Sequence, residues 1–381
     1  MDLNLNRPIL VAGAGFAGSV LARCLSEKGY KVIVIDSRSH VAGNAYDEIN
    51  DLGIRVHRYG PHLFHTNNMK VVEWLSRFTE WLPYEHRVSA LLPSGKMAPL
   101  PINRRTLELV FGKSLANEEE AKALLASVAR PMPEVRNARD YLLSQIGEDL
   151  TDLFFAPYTR KMWGYDLSEM DASVVKRIPI SYDDEDRYFP HDGFQAVPKD
   201  GYTRLIENVL DHSSIDVYLS RPFEREMLNE FDHAFLCLPI DEFFCYSLGP
   251  LPYRSIRFHH ASIDRAQVRT KAATVNRTDN SEITRSTYWH LLPGHDLKNS
   301  SQVTVTSEEP CSYEDNGYER YYPIKTSDDR FGERYRQYVK MAQAEPKVTF
   351  IGRCGTYQYL DMHQVVSQTI AIATRWIEAR A

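Results

Sequence analysis

A glycine-rich turn between two apolar runs constrains the fold of this chain more than any other feature. Residues 8–12 form a short apolar run typical of a strand, and Gly-Ala-Gly-Phe-Ala-Gly follows it at residues 13–18. Helical spacing of apolar residues follows over 19–28, and a second apolar run at 31–35 ends at Asp36. This order of strand, turn, helix, strand and acid predicts a β-α-β unit that binds a dinucleotide.

The residue types in this turn explain why a dinucleotide is expected. Glycines let the backbone turn tightly and approach a pyrophosphate, whose charge the helix N-terminus stabilises. Asp36 lies where a carboxylate accepts hydrogen bonds from ribose hydroxyls. A glycine-rich turn without a ligand would explain the glycines but not the acid. The residues of this unit predicted to bind the cofactor are Gly13, Gly15, Phe16, Ala17, Gly18 and Asp36.

The segment after Asp36 favours FAD over NAD. It supplies an arginine and a second glycine turn, which in many flavoproteins wrap the adenosine and the diphosphate. Ala42 stands where the double glycine of that pattern usually starts, which is a small departure. Gly352 and Arg353 follow a late apolar run, as in flavoproteins whose late turn holds the ribityl chain and pyrimidine. The residues predicted to bind FAD in the segment after Asp36 are Ser37, Arg38, Gly43 and Asn44.

The remaining chain predicts two further structural parts. Residues 104–175 show mostly helical spacing, whereas 84–103 predicts a hairpin. Short runs between 253 and 308 predict an antiparallel sheet, and a late strand at 348–352 precedes a helix at about 362–379. The predicted fold class is α/β: a Rossmann-like FAD-binding domain with a helical insert and an antiparallel β-sheet domain.

The predicted domains are interleaved along the chain. The FAD-binding domain is discontinuous and comprises residues 1–80, 190–245 and 330–381. A helical substrate-binding insert with a mobile loop comprises residues 104–178. The antiparallel sheet domain comprises residues 81–103, 179–189 and 246–329.

Composition excludes several classes of function. A net charge of −6 argues against a broad nucleic-acid or membrane surface. Five cysteines without a CxxC pair favour reduced thiols and give no metal-binding spacing. No run of about 18 apolar residues predicts a membrane span. Because the N-terminus leads straight into a strand, no signal peptide is expected, and the predicted location is the cytoplasm.

Longer motifs along nearly the whole chain resemble those of the bacterial UDP-galactopyranose mutase family. Several of them are much longer than a glycine fingerprint, so a chance match is a poor explanation. The matching stretches are 11–18, 43–47, 59–67, 100–103, 158–164, 176–179, 186–189, 194–203, 321–324, 352–353 and 359–362.

The resemblance implies an isomerase that uses FAD in its reduced form. In that family the flavin N5 attacks the anomeric carbon of the sugar, UDP leaves, and the ring closes again through the 4-hydroxyl before UDP returns. The implied reaction interconverts UDP-galactopyranose and UDP-galactofuranose, with UDP-galactose as the substrate. Family members are often dimers, so a homodimer is an expectation by analogy.

The resemblance also implies four catalytic residues: Arg177, Arg285, His62 and Arg353. Two arginines would hold the diphosphate, because planar guanidinium groups match phosphate oxygens and stay charged. An exposed surface arginine is the alternative for Arg177. His62 would contact the flavin face, and the positive charge of Arg353 would favour an anionic reduced flavin.

An aromatic cluster at the end of the helical segment is implied to bind the substrate. In the family a Phe/Tyr pair stacks on uracil, although the pattern alone fits core aromatics equally well. The implied substrate-binding residues are Phe154, Phe155, Tyr158, Thr159, Trp163, Tyr188, Tyr322, Tyr359, Asp361 and His86. Asp361 is also placed to cap a helix. His62, Leu63, Arg353, Asp361 and Met362 complete the implied cofactor-binding set.

Two departures from the family pattern mean that more than one sugar substrate is compatible with the sequence. His86 stands where many relatives carry asparagine, and residues 287–290 replace a usual acidic-basic pair. A mutase acting on UDP-N-acetylgalactosamine or a TDP-deoxyhexose is therefore an alternative. A flavin oxidoreductase of amine-oxidase type is another alternative, but it does not explain the two arginines and the aromatic cluster. A protein that binds FAD without chemistry would fit a loss of the arginines, which are present.

Overall fold

The computed structural model describes residues 7–176, 178–295 and 300–380. Arg177, a predicted catalytic residue, lies outside the described residues. The strands are β1 (Ile9–Ala12), β2 (Val32–Ile35), β3 (Asp47–Ile49), β4 (Arg55–His57), β5 (Phe64–Thr66), β6 (Trp81–Pro83), β7 (Val88–Leu91), β8 (Met97–Leu100), β9 (Phe194–Pro198), β10 (Ile215–Tyr218), β11 (His233–Leu236), β12 (Tyr253–Asp264), β13 (Thr274–Arg277), β14 (Arg285–Tyr288), β15 (Gln302–Ser312), β16 (Tyr322–Pro323) and β17 (Val348–Phe350).

Helices connect and cover these strands. The α-helices are α1 (Phe16–Ser26), α2 (Met69–Leu75), α3 (Arg104–Phe111), α4 (Glu118–Val128), α5 (Ala138–Leu150), α6 (Ala156–Trp163), α7 (Ser173–Lys176), α8 (Gly201–Leu210), α9 (Ile240–Phe243), α10 (Arg330–Ala342), α11 (Gly352–Gly355) and α12 (Met362–Glu378). A π-helical turn, Thr151–Phe155, joins α5 to α6.

A parallel sheet with strand order β10-β2-β1-β11-β17 forms the base of the molecule. Residues of β1 and β11 are all buried, as expected for parallel strands covered on both faces. Side chains of α1, α8 and α12 pack on one face, including Leu21, Leu205 and Trp376. Phe231 and Phe243 pack with the other face. This arrangement confirms the Rossmann-like fold predicted from the glycine motif.

A second sheet has the strand order β16-β12-β15-β14-β13-β7-β8. Its neighbours are antiparallel, as predicted, except that β13 and β7 run parallel. A parallel pair requires a crossover, and the long segment between β8 and β13 provides one. Strand β14 is short, because the chain turns into a 3-10 helix at Trp289–Leu291.

The helical segment packs on one end of the second sheet. Leu107 of α3, Leu124 of α4 and Leu142 of α5 are buried together with Val88 and Leu100 of the β7-β8 hairpin. The prediction of a mostly helical segment after residue 104 is therefore confirmed.

A small antiparallel sheet with the order β5-β9-β6 joins the two larger parts. Its strand β6 lies inside the segment 81–103, which the sequence groups with the second sheet. The division of the chain into three domains stays a prediction.

Candidate active site

The carboxyl ends of β1 and β2 open onto a cavity of about 1520 Å³. Its walls come from the parallel sheet, the second sheet and the helical segment together. A site for one drug-sized ligand usually measures about 300–1,000 Å³, so this cavity has room for more than one ligand. Ligands of open α/β sheets bind at this edge of the strands.

Two glycine turns meet at the base of the cavity. A Cβ on Gly43 would lie 3.2 Å from the Cα of Gly15, so the two backbones approach more closely than side chains allow. Gly13 and Gly43 both have positive φ, at 121° and 53°. Ala42, which stands in place of a glycine, also adopts a left-handed φ of 69°. The backbone is therefore shaped to receive a ligand without side chains between them.

Gly18 has a packing role in the structure, and its part in cofactor binding stays a prediction. It is absent from the described residues that line the cavity. A Cβ on Gly18 would lie 1.8 Å from the carbonyl oxygen of Gly13. The third glycine of the motif therefore allows α1 to pack against β1.

Asp36 organises the turn around it through its two carboxylate oxygens. The backbone N–H of Ala14 donates to Oδ2 at 2.7 Å, and that of Arg38 donates to Oδ1 at 2.9 Å. Arg38 in turn donates to Asn44 Oδ1 at 2.9 Å and pairs with Glu319. Each carboxylate oxygen of Asp36 keeps a second lone pair for a ribose hydroxyl.

His62 presents an unprotonated nitrogen to the cavity. Its Nδ1 lies 2.9 Å from the carbonyl oxygen of Gly60, so Nδ1 carries the proton and donates. Burial, with a smaller effect of His57, lowers the pKa of His62 to about 3. The imidazole is therefore neutral at neutral pH, and Nε2 is a hydrogen-bond acceptor.

Arg353 lies beside two stacked tyrosine rings. Its guanidinium is 5.2 Å from the ring centre of Tyr322 and 4.9 Å from that of Tyr359, and these rings are 5.1 Å apart. Nη2 donates to the carbonyl oxygen of Tyr321 at 2.9 Å. Nε is buried and has no partner within the described ranges. Arg353 thus brings an incompletely satisfied positive charge to the cavity.

Arg285, which is half-buried, and Glu308, which is buried, lie on adjacent strands. Arg285 Nη1 lies 3.9 Å from Glu308 Oε2, and Nη2 donates to the hydroxyl of Tyr158 at 3.0 Å. Burial alone lowers the pKa of Arg285, but Tyr158 and Glu308 together raise it well above its ordinary value. Among the described residues, Arg285 Nε and Glu308 Oε1 have no hydrogen-bond partner. The guanidinium is therefore charged and has donor capacity left for an anion.

The predicted aromatic cluster lies on the cavity wall. Phe154 and Phe155 belong to the π-helical turn, and Tyr158 and Trp163 belong to α6. A π-helical turn shifts the register of side chains along a helix, and such turns are frequent at functional sites. Trp163 contacts Tyr322 edge to face at 6.2 Å between ring centres. The aromatic residues of the helical segment thus meet those of the second sheet.

His86 is a buried residue on the opposite wall. Its Nδ1 lies 3.3 Å from the hydroxyl of Tyr84, and its carbonyl accepts the N–H of Tyr188 at 2.7 Å. Burial lowers the pKa of His86 to about 3, and the charges of Arg285 and His65 act in the same direction. The histidine is therefore neutral at the pH at which most proteins work.

The structure brings almost all predicted site residues to one cavity. Those that line it are Gly13, Gly15, Phe16, Ala17, Asp36, Ser37, Arg38, Gly43, Asn44, His62, Leu63, His86, Phe154, Phe155, Tyr158, Thr159, Trp163, Tyr188, Arg285, Tyr322, Arg353, Tyr359, Asp361 and Met362. Lys176 and Ile178, on either side of Arg177, also line it.

Several polar residues of the cavity were not predicted from the sequence. Thr274, Asn276 and Glu308 line it, and each has a buried oxygen without a partner in the described part of the chain. Asn276 and Glu308 are both strand neighbours of Arg285. The alternation of Thr274, Asn276 and Thr278 along one strand face was the available signal.

The chemistry of the cavity fits a dinucleotide cofactor. The glycine turns leave the backbone open to a pyrophosphate, and α1 begins next to them at Phe16. No group of three or more His, Cys, Asp or Glu within the described residues is placed to hold a metal ion. No helix in those residues is both long and apolar enough to cross a membrane.

Comparison with known families gives two matches on this chain. The family model for UDP-galactopyranose mutase matches residues 153–359, which include the aromatic cluster and Arg285. The model for an NAD(P)-binding Rossmann-like domain matches residues 11–78, which include both glycine turns.

Known structures that superimpose on this chain support the fold described above. A crystal structure of reduced UDP-galactopyranose mutase is 16% identical, with a TM-score of 0.73, and covers 98% of this chain and 94% of its own. A putative protoporphyrinogen oxidase from an Exiguobacterium species is 13% identical with a TM-score of 0.70, covering 99% of both chains.

Relatives that match nearly the whole chain identify the family to which it belongs. A probable UDP-galactopyranose mutase of Klebsiella pneumoniae is 35% identical over 99% of this chain and 96% of its own length. A dTDP-fucopyranose mutase of Escherichia coli is 33% identical over 97% of this chain and 98% of its own. The chain therefore belongs to the UDP-galactopyranose mutase family.

Proposed function

We propose that this chain is an FAD-dependent isomerase that interconverts UDP-galactopyranose and UDP-galactofuranose. The observation that carries the proposal is the shared cavity, in which the dinucleotide-binding turns face the aromatic cluster and Arg285. Family membership and a relative named as a UDP-galactopyranose mutase support the same substrate. FAD bound in its reduced form would supply a nucleophilic nitrogen for the anomeric carbon.

The polar residues of the cavity suit a departing nucleoside diphosphate. Arg285 has a permanently charged guanidinium with free donor capacity, and Tyr158 orients it through a hydrogen bond. Such a group stabilises the negative charge that develops on UDP when its bond to the sugar breaks. The role of Arg177 as a second diphosphate ligand is proposed from the resemblance of its sequence neighbours.

The remaining residues are proposed to hold the base and the cofactor. Phe154 and Tyr158 offer flat apolar surface for stacking with uracil. The Nε2 of His62 can accept a hydrogen bond because Nδ1 carries the proton, and Arg353 brings positive charge to the cofactor end of the cavity.

A mutase acting on a dTDP-deoxyhexose is the second candidate function. The relative named dTDP-fucopyranose mutase is 33% identical, close to the 35% of the UDP-galactopyranose mutase relative. The two substrates differ at the base methyl, the ribose 2′-hydroxyl and the sugar 6-hydroxyl. His86 lies in the cavity and departs from the residue common in the family, so it is a candidate for this discrimination.

A chromatographic assay of purified protein tests both functions. We expect interconversion of UDP-galactopyranose and UDP-galactofuranose after reduction with dithionite, and none with oxidised protein. The panel includes UDP-N-acetylgalactosamine and dTDP-fucopyranose. Conversion of dTDP-fucopyranose alone would select the second candidate. Oxygen consumption with an amine, without added reductant, would contradict both.

Substitution of Arg285 tests its proposed role. Arg285→Lys keeps the buried charge beside Glu308 but loses the planar fork, so we expect flavin content to stay and kcat/KM to fall about ten- to a hundredfold. The control is Arg160→Lys, because Arg160 is an exposed arginine of α6 that pairs with Asp166. Full activity of Arg285→Lys would show that the diphosphate is held elsewhere.

A further inference from the structure

Lys161 of α6 reaches across to the second sheet and is enclosed by backbone oxygens. Its ammonium donates to the carbonyl oxygens of Arg277, Asp279 and Ile283 at 2.8, 3.0 and 2.9 Å. The Asp279 carboxylate lies 3.7 Å away. All three N–H donors of the ammonium therefore have an acceptor, which is the full capacity of a lysine.

One carbonyl belongs to the last residue of β13, and the other two belong to the loop that joins β13 to β14. Asn276, near the end of β13, and Arg285, at the start of β14, lie directly opposite each other in the sheet. Both line the cavity. Lys161 thus holds the loop immediately beyond the strand pair that carries the proposed diphosphate ligand.

Hydrogen bonds within the loop also stabilise its conformation around the lysine. The guanidinium of Arg277 donates to Asp279 Oδ2 at 2.8 Å, and the N–H of Ser281 donates to Oδ1 at 3.1 Å. These bonds fix the turn so that its carbonyls point towards one centre. Burial lowers the pKa of Lys161, and the Asp279 carboxylate opposes that shift.

The helix that carries Lys161 also supplies residues of the cavity wall where the nucleotide is proposed to bind. Tyr158 lies one turn earlier and accepts the hydrogen bond from Arg285. On the other side, Arg254 donates to the carbonyl oxygens of Met162 and Lys161 at 2.7 and 3.2 Å, which satisfies the C-terminal end of α6. Lys161, Arg254 and Arg285 therefore each link α6 to the second sheet.

We propose that Lys161 is a positioning residue that sets the distance between α6 and the β13-β14 pair. It thereby aligns the aromatic surface for the base with the guanidinium for the diphosphate. This inference rests on the proposed function, because it needs one nucleotide to span both elements. A small error in such alignment is costly, since both ends of a ligand must bind at once.

Binding of UDP to Lys161→Met tests the inference by calorimetry. Methionine keeps much of the side-chain volume and removes the ammonium. We expect Kd for UDP and KM for the nucleotide sugar to rise about tenfold, with flavin content unchanged and kcat altered less. The matched control is Arg160→Met, the neighbouring residue of α6 whose guanidinium pairs with exposed Asp166 and should leave Kd unchanged.

Chemical rescue separates positioning from general damage to the fold. In Lys161→Ala, propylammonium replaces the missing part of the side chain and its three donors. We expect it to restore most of the UDP affinity, whereas trimethylpropylammonium, which has the charge without N–H donors, should not.

The outcomes distinguish this inference from the proposed function. Wild-type protein that binds no UDP would contradict the proposed function, and the inference with it. Wild-type protein that binds UDP while Lys161→Met matches it would overturn the inference alone. Equal rescue by both ammonium compounds, or none by either, would also overturn it, because the three carbonyls would then not matter.

Discussion

A single buried carboxylate sets the charge balance next to Arg285. Glu308 is 3% exposed and lies 3.9 Å from the guanidinium, a distance too long for a hydrogen bond. Burial raises the pKa of Glu308, and Arg285 only partly offsets this. The pair is therefore not a tight salt bridge, and the guanidinium keeps donors for a ligand.

The raised pKa of Glu308 predicts a stability effect of known sign. The folded state favours the protonated carboxyl of Glu308. The contribution of Glu308 to the stability of the fold is therefore present below the ordinary pKa of about 4.5 and is lost as the pH rises. We expect Glu308→Gln to melt at a higher temperature than the wild type at pH 8, with the difference vanishing near pH 4.

Glu309 provides a control of opposite sign. His259 and Arg257 hydrogen-bond to its carboxylate and lower its pKa. The contribution of Glu309 to the stability of the fold is present above its ordinary pKa and is lost as the pH falls. Any decrease in the melting temperature of Glu309→Gln relative to the wild type should therefore disappear in acid. The same pH trend for both variants would contradict the assignment of Glu308.

For single residues, the sequence predicted which side chains belong to the site better than it predicted which side chains contact each other. Arg285, Tyr158 and Arg353 were identified through resemblance, and they line the cavity. Glu308 and Asn276 were missed because their importance depends on strand register, which brings them beside Arg285 only in the folded sheet. The burial of His86 likewise depends on side chains from distant segments.

At the scale of elements, the two glycine turns are the feature that most limits substitution. Gly15 and Gly43 lie in different turns, and their backbones meet where a pyrophosphate is proposed to bind. The first turn is clear in the sequence. The second is clear only because it follows Asp36, and the left-handed Ala42 before it was not anticipated.

Gly43→Ala is expected to abolish flavin binding more than it affects folding. The new Cβ would lie 3.2 Å from Gly15 Cα, in the space between the turns, and φ of +53° adds a strain of about 1 kcal/mol. The measurement is flavin content after purification, together with the melting temperature of protein freed of flavin.

Gly53→Ala is the matched control for that experiment. Gly53 has a similar positive φ of 73°, but a Cβ there would meet no atom within 4 Å. Both variants should lose similar stability, and Gly43→Ala alone should lose flavin. Normal flavin content in Gly43→Ala would place the pyrophosphate away from this turn.

Elements with strong periodicity were predicted well, and those that depend on partners were not. The strands β1, β2 and β17 and the helix α12 lie where the apolar runs indicate. The parallel pairing of β13 with β7 has no local signal, because it joins segments that are far apart in sequence. The π-helical turn at Thr151–Phe155 is also a result of tertiary packing rather than of propensity.

At the scale of the whole molecule, buried neutral histidines couple the fold to pH. His57 and His62 lie next to each other, with 6.4 Å between their ring centres, and burial is the main reason that the pKa of each, and that of His86, falls to about 3. The unfolded chain binds protons at these residues below about pH 6.5, whereas the folded chain does not.

Stability should therefore fall as the pH decreases from about 6.5 towards 3. Each such histidine contributes a loss of up to about 1.4 kcal/mol per pH unit in that window. Reversible denaturant unfolding at several pH values measures the slope, and His86→Asn should make it smaller. Identical slopes for wild type and variant would show that His86 is protonated in the folded protein.

The parallel sheet has one more consequence, which concerns synthesis of the chain. Strands β1 and β2 come early, but their sheet is completed by β17 at Val348–Phe350, and α12 then covers α1. The part of α1 that α12 covers, as distinct from the part that packs with α8, is therefore exposed on the nascent polypeptide until α12 has been translated. Because Gly352, Arg353 and Met362 line the cavity, we expect the cofactor to be captured only after this late segment has been made and the intervening helices have had time to form.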